Sequence, residues 1–199
     1  MTVERTRAKL VDVARQLFAK KGVEETTMND IAVASRKGRR TLYTYFKSKE
    51  QIYLAVVESE LEMLSDRMKE AAGKSVSPDV KIMELIMTHL DTIKFVVYRN
   101  GTLRASFFRD IWRVEAVRKE FDRKEIVLFR EVLQDGKEKG YFDLDNVEIM
   151  ADILHYCVKG IEVPYIRGQI GEELEDDIGW KYVSKIVFGA LGCKTKKEV

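Results

Sequence analysis

Proline is scarce in this sequence, with 2 residues in a chain of 199. Average usage near 5% would give roughly ten. Sandwiches and barrels of β-strands need many turns rich in proline and glycine, so the shortage counts against an all-β fold. Long helices tolerate such a composition, because a proline in the interior of a helix breaks or kinks it.

Cysteine and histidine are equally rare, with 2 residues of each. Cys157 and Cys193 provide neither a disulfide framework nor a cysteine-rich zinc site, and they fit a reducing compartment such as the cytoplasm. His89 and His155 lie far apart in the sequence, and the common motifs of hydrolases, nucleotide-binding loops and zinc proteases are missing. We therefore expect no catalytic residues, no metal and no cofactor, and hence no enzyme.

Long apolar runs are missing too. No stretch approaches the 18 consecutive apolar residues that indicate a membrane-spanning helix. The N-terminal segment MTVERTRAKL carries charge and lacks the apolar core of a signal peptide. We expect a cytoplasmic protein that does not enter a membrane.

The net charge of +2 hides an uneven distribution. Residues 1–50, called the head below, carry 12 Lys+Arg against 6 Asp+Glu, a net charge of +6. Residues 51–199, called the body, carry 23 against 27, a net charge of −4. A basic region at one end of a chain is typical of proteins that bind polyanions, although a charged, solvated helix face would give the same count.

Three helices are predicted within the head, at about residues 4–21, 28–35 and 39–46. Thr27 is a suitable N-cap for the second of them. A turn of a few residues that contains Gly38 separates the second helix from the third. Two short helices joined in this way form the outline of a helix-turn-helix.

Apolar residues recur at helical spacing through the whole body. Asp145 is the expected cap of the penultimate helix, and Pro164 is expected to end or kink it. The sequence therefore predicts an all-α fold of about nine helices, with a helix-turn-helix domain at 1–50 and a helical domain at 51–199. The helices predicted in the body cover about 49–71, 78–98, 102–112, 115–138, 146–163 and 174–191.

Residues 8–56 resemble the DNA-binding domain of the TetR family of transcriptional regulators. The likeness rests on Thr27-Met-Asn-Asp-Ile-Ala32, a gap of eight residues, and Thr41-Leu-Tyr-Thr-Tyr-Phe-Lys-Ser-Lys-Glu50. Ala14, Leu17, Phe18 and Gly22 match the first helix of the family. Beyond residue 56, only chain length and the helical pattern agree.

The resemblance implies a homodimeric repressor that binds a pseudo-palindromic operator in double-stranded DNA and is released by a small-molecule ligand. Two alternatives stay open. One is a DNA-binding protein of the same fold without an effector, acting architecturally or as an activator. The other is a helical enzyme or carrier whose basic head is incidental.

The third helix of the head has the side chains that a recognition helix needs. Arginine grips guanine through two hydrogen bonds, and the methyl group of threonine contacts that of thymine. We therefore expect Arg39, Arg40, Thr41 and Thr44 at base edges. The resemblance places Tyr43, Tyr45 and Lys49 on phosphates, with simple packing as the alternative for the two tyrosines. Thr27, at the start of a helix, is placed for another phosphate.

The turn before the recognition helix departs from the family. Members usually have a small residue, glycine, an apolar residue and a serine cap there, whereas this chain has Ser35-Arg36-Lys37-Gly38. The turn loses its apolar anchor, and Gly38 as cap costs a few tenths of a kcal/mol relative to serine. Arg36 and Lys37 add positive charge, so we expect a grip with more phosphate contacts.

The body is expected to supply the dimer interface and the ligand pocket. The last two helices, about 146–163 and 174–191, are predicted to pair with those of a second copy, with Gly189, Ala190 and Gly192 allowing close approach. The alternative is that both apolar stripes are buried within their own domain. The resemblance implies a pocket for a small apolar or amphipathic ligand, although core packing is the alternative for each side chain. The predicted ligand residues are His89, Phe95, Tyr98, Phe107, Phe108, Trp112, Phe129 and Tyr156.

Overall fold

Eight α-helices and no strand occupy the parts of the chain that the computed structural model describes, residues 3–101, 111–170 and 177–193. The side chains of 111–116 and 177–179 are outside that description. The predicted all-helical class is confirmed. The helices are α1 (Val3–Lys21), α2 (Met28–Ala34), α3 (Arg39–Tyr45), α4 (Lys49–Ala72), α5 (Pro78–Arg99), α6 (Ile111–Glu138), α7 (Val147–Ile166) and α8 (Asp177–Ala190).

The chain divides into two compact units. The first unit comprises Met1–Met63 and Phe95–Glu120, and the second comprises Leu64–Lys94 and Phe121–Val199. This division follows compactness rather than function. The boundary at residue 50, between a DNA-reading domain and the rest, stays a prediction.

Three of the described helices begin at a residue whose side chain caps them. Thr27 forms a complete capping box with Asp30, since each side chain accepts a hydrogen bond from the other residue's backbone N–H. Ser48 accepts from the backbone of Gln51 at the start of α4. The cap predicted at Asp145 was wrong. Asn146 caps α7 instead, because its side-chain oxygen accepts from the N–H of Ile149.

Two predicted helix boundaries in the body also change. α6 runs without interruption from Ile111, so the helix break predicted between residues 112 and 115 is wrong. The remainder of the helix predicted at 102–112 lies outside the described residues. Pro164 does not end α7, which continues to Ile166. A proline there disturbs only the last turn, where few hydrogen bonds remain to be lost.

The core of the first unit places the short helices of the head. Leu10, Ala14 and Phe18 of α1 are fully buried against residues of α2, α3 and the start of α4. Ile31 and Leu42 fill the space between them with no exposed surface. This packing holds α3 by one face, so the opposite face is left for solvent.

Among the described residues, no helix has the length and apolarity needed to cross a membrane.

Candidate nucleic-acid interface

The exposed face of α3 carries three of the four residues predicted at base edges, together with Tyr43, which is predicted on a phosphate. Arg39, Arg40, Tyr43 and Thr44 are all exposed, and at 100° per residue they fall within one continuous sector of the helix. Leu42 and Phe46 point the other way and are buried, as the sequence predicts. The helix therefore presents two guanidinium groups, a phenol and a hydroxyl to solvent on a single surface.

Thr41 and Tyr45 lie at the edges of that surface. Both are half-buried, and the Tyr45 ring packs against the core of the first unit. This supports packing, the alternative weighed for Tyr45. The Thr44 hydroxyl donates to the carbonyl of Arg40 at 3.0 Å. Its oxygen as an acceptor and its methyl group therefore remain for contacts with another molecule.

The turn before α3 is a Schellman motif. The N–H of Lys37 donates to the carbonyl of Ala32, and the N–H of Arg36 donates to that of Val33, both at 3.0 Å. Arg36 occupies the position after the C-cap with a φ of +55°. Glycine is preferred there, since a side chain in the left-handed region costs about 1–2 kcal/mol. The exposed Arg36 is thus kept at an energetic cost.

The start of α2 is pinned to the end of α1. The Lys21 ammonium donates to the carboxylate of Asp30 at 2.8 Å. That hydrogen bond, with those from the backbone and side chain of Thr27, lowers the pKa of Asp30 to about 2. Thr27 itself is exposed at the N-terminus of α2. Its hydroxyl group accepts from the backbone N–H of Asp30 at 3.1 Å.

Lys49 is tied to the loop that precedes α2. Its ammonium donates to the carbonyl of Glu24 at 3.0 Å. An ammonium has three donors, so this contact orients the group without using up its charge. Lys49 therefore lies at the same loop that ends with Thr27, the cap of α2.

A buried charged cluster, which the helical periodicity of the sequence does not predict, lies in the second unit. The two ring nitrogens of His89 face the carboxylates of Glu125 and Glu162, the latter at 3.0 Å. His155 Nδ1 lies 2.6 Å from the other oxygen of Glu125. The four side chains come from α5, α6 and α7, and all four residues are buried. They constitute the His–Glu cluster.

Opposite charges dominate the ionisation of this cluster. Burial alone would lower the pKa of His89, but Glu125 and Glu162 outweigh it and raise that pKa to about 9. Burial would likewise raise the pKa of Glu125, whereas His89 and His155 lower it to about 2. Both groups are therefore charged near neutral pH. Within the described residues, no three His, Cys, Asp or Glu side chains are arranged to hold a metal ion.

The predicted ligand residues do not share one environment. Phe129 is fully buried, whereas Tyr156 is 63% exposed. Phe95 and Tyr98 are exposed and belong to the first unit. Both nitrogens of His89 are occupied, which favours a core role for it. Phe107 and Phe108 lie outside the described residues, as does the side chain of Trp112.

A detectable signal marks the cluster in the sequence. Glu125 stands one helical turn from both Phe121 and Phe129, on an otherwise apolar face of α6. Glu162 stands one turn after Val158 on α7 in the same way. An acidic residue inside an apolar stripe needs a buried partner, and the two histidines were available to supply it.

The exposed face of α3 and the short turn that joins α3 to α2 define a helix-turn-helix DNA-binding protein. The family model described as bacterial regulatory proteins of the tetR family matches residues 10–56. The transcriptional repressor KstR2 of Mycolicibacterium smegmatis is 30% identical over 146 residues, which cover 71% of each chain. The chain therefore belongs to the TetR family and is a transcriptional repressor that acts by binding DNA.

Other relatives agree with this assignment. The transcriptional regulator QacR of Staphylococcus aureus is 22% identical, over 77% of this chain and 82% of QacR. The solved structure of KstR2 from Mycobacterium tuberculosis covers 98% of this chain and 97% of its own, with a TM-score of 0.60 and 23% identity. The latter likeness shows that the fold extends over the body as well as the head.

Proposed function

We propose that this repressor binds a pseudo-palindromic operator as a homodimer and that a small molecule releases it. The observation that carries the proposal is the solvent-facing surface of α3, where Arg39, Arg40 and Thr44 share one exposed sector while the core residues point away. A helix of this kind fits the major groove of DNA, and dimers place two such helices about one helical turn apart.

Each group in the head has a proposed role. Arg39, Arg40, Thr41 and Thr44 contact base edges, because arginine and threonine provide the donors and methyl groups that bases recognise. Tyr43, Tyr45, Lys49 and Thr27 contact phosphates and fix the register of the helix. Arg36 and Lys37 add phosphate contacts through the turn.

The dimer interface is proposed on α7 and α8. Ile149, Ile153 and Tyr156 form one stripe on α7, with spacings of four and three residues, and all three are exposed. Tyr182 and Ile186 form a second stripe on α8, where Ile186 is 74% exposed. Large apolar side chains in such a contiguous pattern are costly in water and typical of a covered surface.

Two glycines support this interface. A Cβ added at Gly160 or Gly189 would meet no atom within 4 Å, so packing within the chain does not explain either residue. A glycine inside a helix costs roughly 0.5–1 kcal/mol relative to alanine, and close approach of a partner helix would repay that cost. Gly192 differs, because its φ of +61° and the nearby carbonyl oxygen of Asp143 account for it within the chain.

The ligand is proposed to be a small apolar or amphipathic molecule that binds in the body. It would lower operator occupancy by favouring the conformation whose heads are spread apart, by no more than its differential affinity for the two states. Helix α4 starts at the head and runs on into the body, so it is suited to carry that change. The protein would act in the cytoplasm by binding rather than by catalysis.

The interface is tested by sedimentation equilibrium of the whole chain. We expect a dimer for the wild type and a monomer for Ile186→Asp, because a carboxylate would be buried in the apolar contact. Val127→Asp makes a similar change at an exposed apolar position of α6 outside the two stripes, and it should remain dimeric. A dimeric Ile186→Asp variant would exclude this surface.

Operator recognition is tested by selecting bound duplexes from a random DNA pool at physiological salt. Recovery of a palindromic motif supports sequence-specific binding by a symmetric dimer. If every sequence binds equally weakly and binding disappears at modest salt, only non-specific contact with phosphates remains. That result would overturn the proposed recognition of a palindromic operator.

A further inference from the structure

A buried carboxylate lies on α4, within the first unit. Glu60 is 3% exposed and stands one helical turn from both Val56 and Leu64, which are buried. Burial raises the pKa of Glu60, although Arg99, Asn100 and Arg15 oppose this effect. An unpaired charge at such a depth costs several kcal/mol, so apolar packing alone does not account for Glu60.

Donors from two other segments converge on this carboxylate. Arg99, at the end of α5, places Nη2 3.0 Å from one oxygen, and Asn100 donates its amide to the other at 3.2 Å. From α1, Arg15 brings Nε to 3.8 Å. One side chain thereby joins α1, α4 and the end of α5.

The residue after Asn100 fits tightly against α1. Gly101 has a φ of +49°, and a Cβ added there would lie 2.6 Å from the carbonyl oxygen of Ala19. Only glycine accepts both the left-handed backbone and this approach. The chain leaving α5 is therefore held on α1 at Ala19 and, through Glu60, at Arg15.

The end of α1 is in turn connected to the DNA-reading motif. Lys21 pairs with Asp30 at the start of α2, and Leu10 and Phe18 of α1 share one core with Leu42 of α3. A change in the setting of α1 on α4 would therefore be transmitted to the recognition helix.

We propose that Glu60 is a positioning residue for operator recognition, which holds α1 and the end of α5 on α4 and so fixes the orientation of the recognition helix without touching DNA. This inference rests on the proposed dimeric function. Apolar residues of similar volume could replace a buried ion pair with little loss of stability, whereas the two hydrogen bonds from Arg99 and Asn100 and the ion pair with Arg15 also define direction. Two half-sites about 34 Å apart tolerate little variation in head spacing.

The first test compares Glu60→Gln with Glu62→Gln in the full-length protein. Glu62 is exposed on the same helix, so its substitution removes the same charge without disturbing the contacts of Glu60 with Arg99, Asn100 and Arg15. Binding is measured by fluorescence anisotropy on the selected operator and on a non-operator duplex of equal length. We expect Glu60→Gln to weaken operator binding about tenfold, which corresponds to about 1.4 kcal/mol, with non-operator binding unchanged. Glu62→Gln should match the wild type on both duplexes.

The second test measures the distance between the two heads in the free protein. A spin label is attached at Glu25→Cys, an exposed loop position, in a background with Cys157→Ser and Cys193→Ser. The distance distribution should broaden in Glu60→Gln and stay narrow in Glu62→Gln. If Glu60→Gln does not fold, Arg15→Gln replaces it, because Glu60 then keeps its bonds from Arg99 and Asn100. A smaller broadening is expected for Arg15→Gln.

The outcomes separate this inference from the proposed function. Wild-type operator affinity in Glu60→Gln overturns the inference alone, and so does an equal loss on both duplexes with unchanged head spacing. If the wild type selects no operator, the proposed function fails. The distance distribution between the two spin labels then tests by itself whether Glu60 positions the heads. Unchanged spacing in the variant that folds then overturns the inference as well.

Discussion

Charged side chains are arranged in opposite ways in the head and in the second unit. In the head, Arg36, Arg39 and Arg40 are exposed, so their charge acts on whatever approaches from solution. In the second unit, His89 and Glu125 are buried and pair with each other. Charged side chains therefore face solvent in one region and connect helices in the other.

Exposed charges should matter mainly for DNA binding, and buried charges mainly for stability. An exposed cation gains little from the fold, because solvent screens it, and its loss should mainly weaken DNA binding. In a buried ion pair, each charge is compensated by its partner instead of by water. Removing one partner therefore leaves an uncompensated charge. Substitutions in the two regions should therefore affect different measurements.

The largest effect is expected at the centre of the His–Glu cluster. Glu125→Gln should lower the free energy of unfolding by about 3–5 kcal/mol, because the His89 and His155 rings lose their shared carboxylate. Chemical denaturation followed by circular dichroism measures this change. Glu131→Gln, at an exposed position of the same helix, should change stability by less than about 0.5 kcal/mol. Equal effects of the two substitutions would contradict the role assigned to the cluster.

The pH dependence of stability should follow the same cluster. The raised pKa of His89 contributes stability that is complete below about 6.5 and is lost as the pH rises through about 9. The lowered pKa of Glu125 contributes stability that is present above about 4.5 and is lost as the pH falls through about 2. The denaturant concentration at the unfolding midpoint of the wild type should therefore decrease as the pH rises from 6.5 to 9. His89→Gln should remove most of that fall, and an identical profile in both proteins would exclude His89 as its source.

Arg36 tests whether the head keeps a strained residue for binding. Arg36→Gly relieves the left-handed conformation and should raise the free energy of unfolding by about 1 kcal/mol. It should also weaken operator binding, since one exposed cation is lost. Arg36→Ala is the control, because it removes the same charge but keeps the strain. Equal stability of the two variants would contradict the account of the turn.

The smallest effect is expected at Lys37. If its ammonium contacts one phosphate, Lys37→Ala should reduce the slope of log K against log salt concentration by about 0.9. Lys69→Ala removes an exposed cation from the second unit and should leave the slope unchanged. Titrations at four or more salt concentrations distinguish the two variants. Identical slopes for both would remove Lys37 from the interface.

The fold of the head was largely readable from the sequence, because local rules decide it. Thr27 caps α2, Gly38 precedes α3, and Leu42 with Phe46 marks the buried side of the recognition helix. The geometry at Arg36 was not readable, since nothing in the sequence requires an arginine to adopt a positive φ. The positive φ belongs to the Schellman motif that ends α2, and glycine, the usual residue at that position, is missing here.

The interior of the body was less readable, because its polar contacts join residues distant in sequence. His89 and Glu162 are 73 positions apart, and Glu60 meets Arg99 after 39. Helical periodicity shows that these residues face inward but does not identify their partners. The predicted ligand residues illustrate the same limit, as Phe129 is buried and Tyr156 exposed despite their similar patterns.

The central claim is that the exposed face of α3 reads the operator, and one affinity measurement tests it most directly. Binding of Arg39→Ala/Tyr43→Phe is compared with that of the wild type, on the selected operator and on a non-operator duplex at physiological salt. We expect the double variant to bind the operator no more tightly than the non-operator duplex, with a denaturation midpoint equal to that of the wild type within error. Specific binding that survives both substitutions would contradict it.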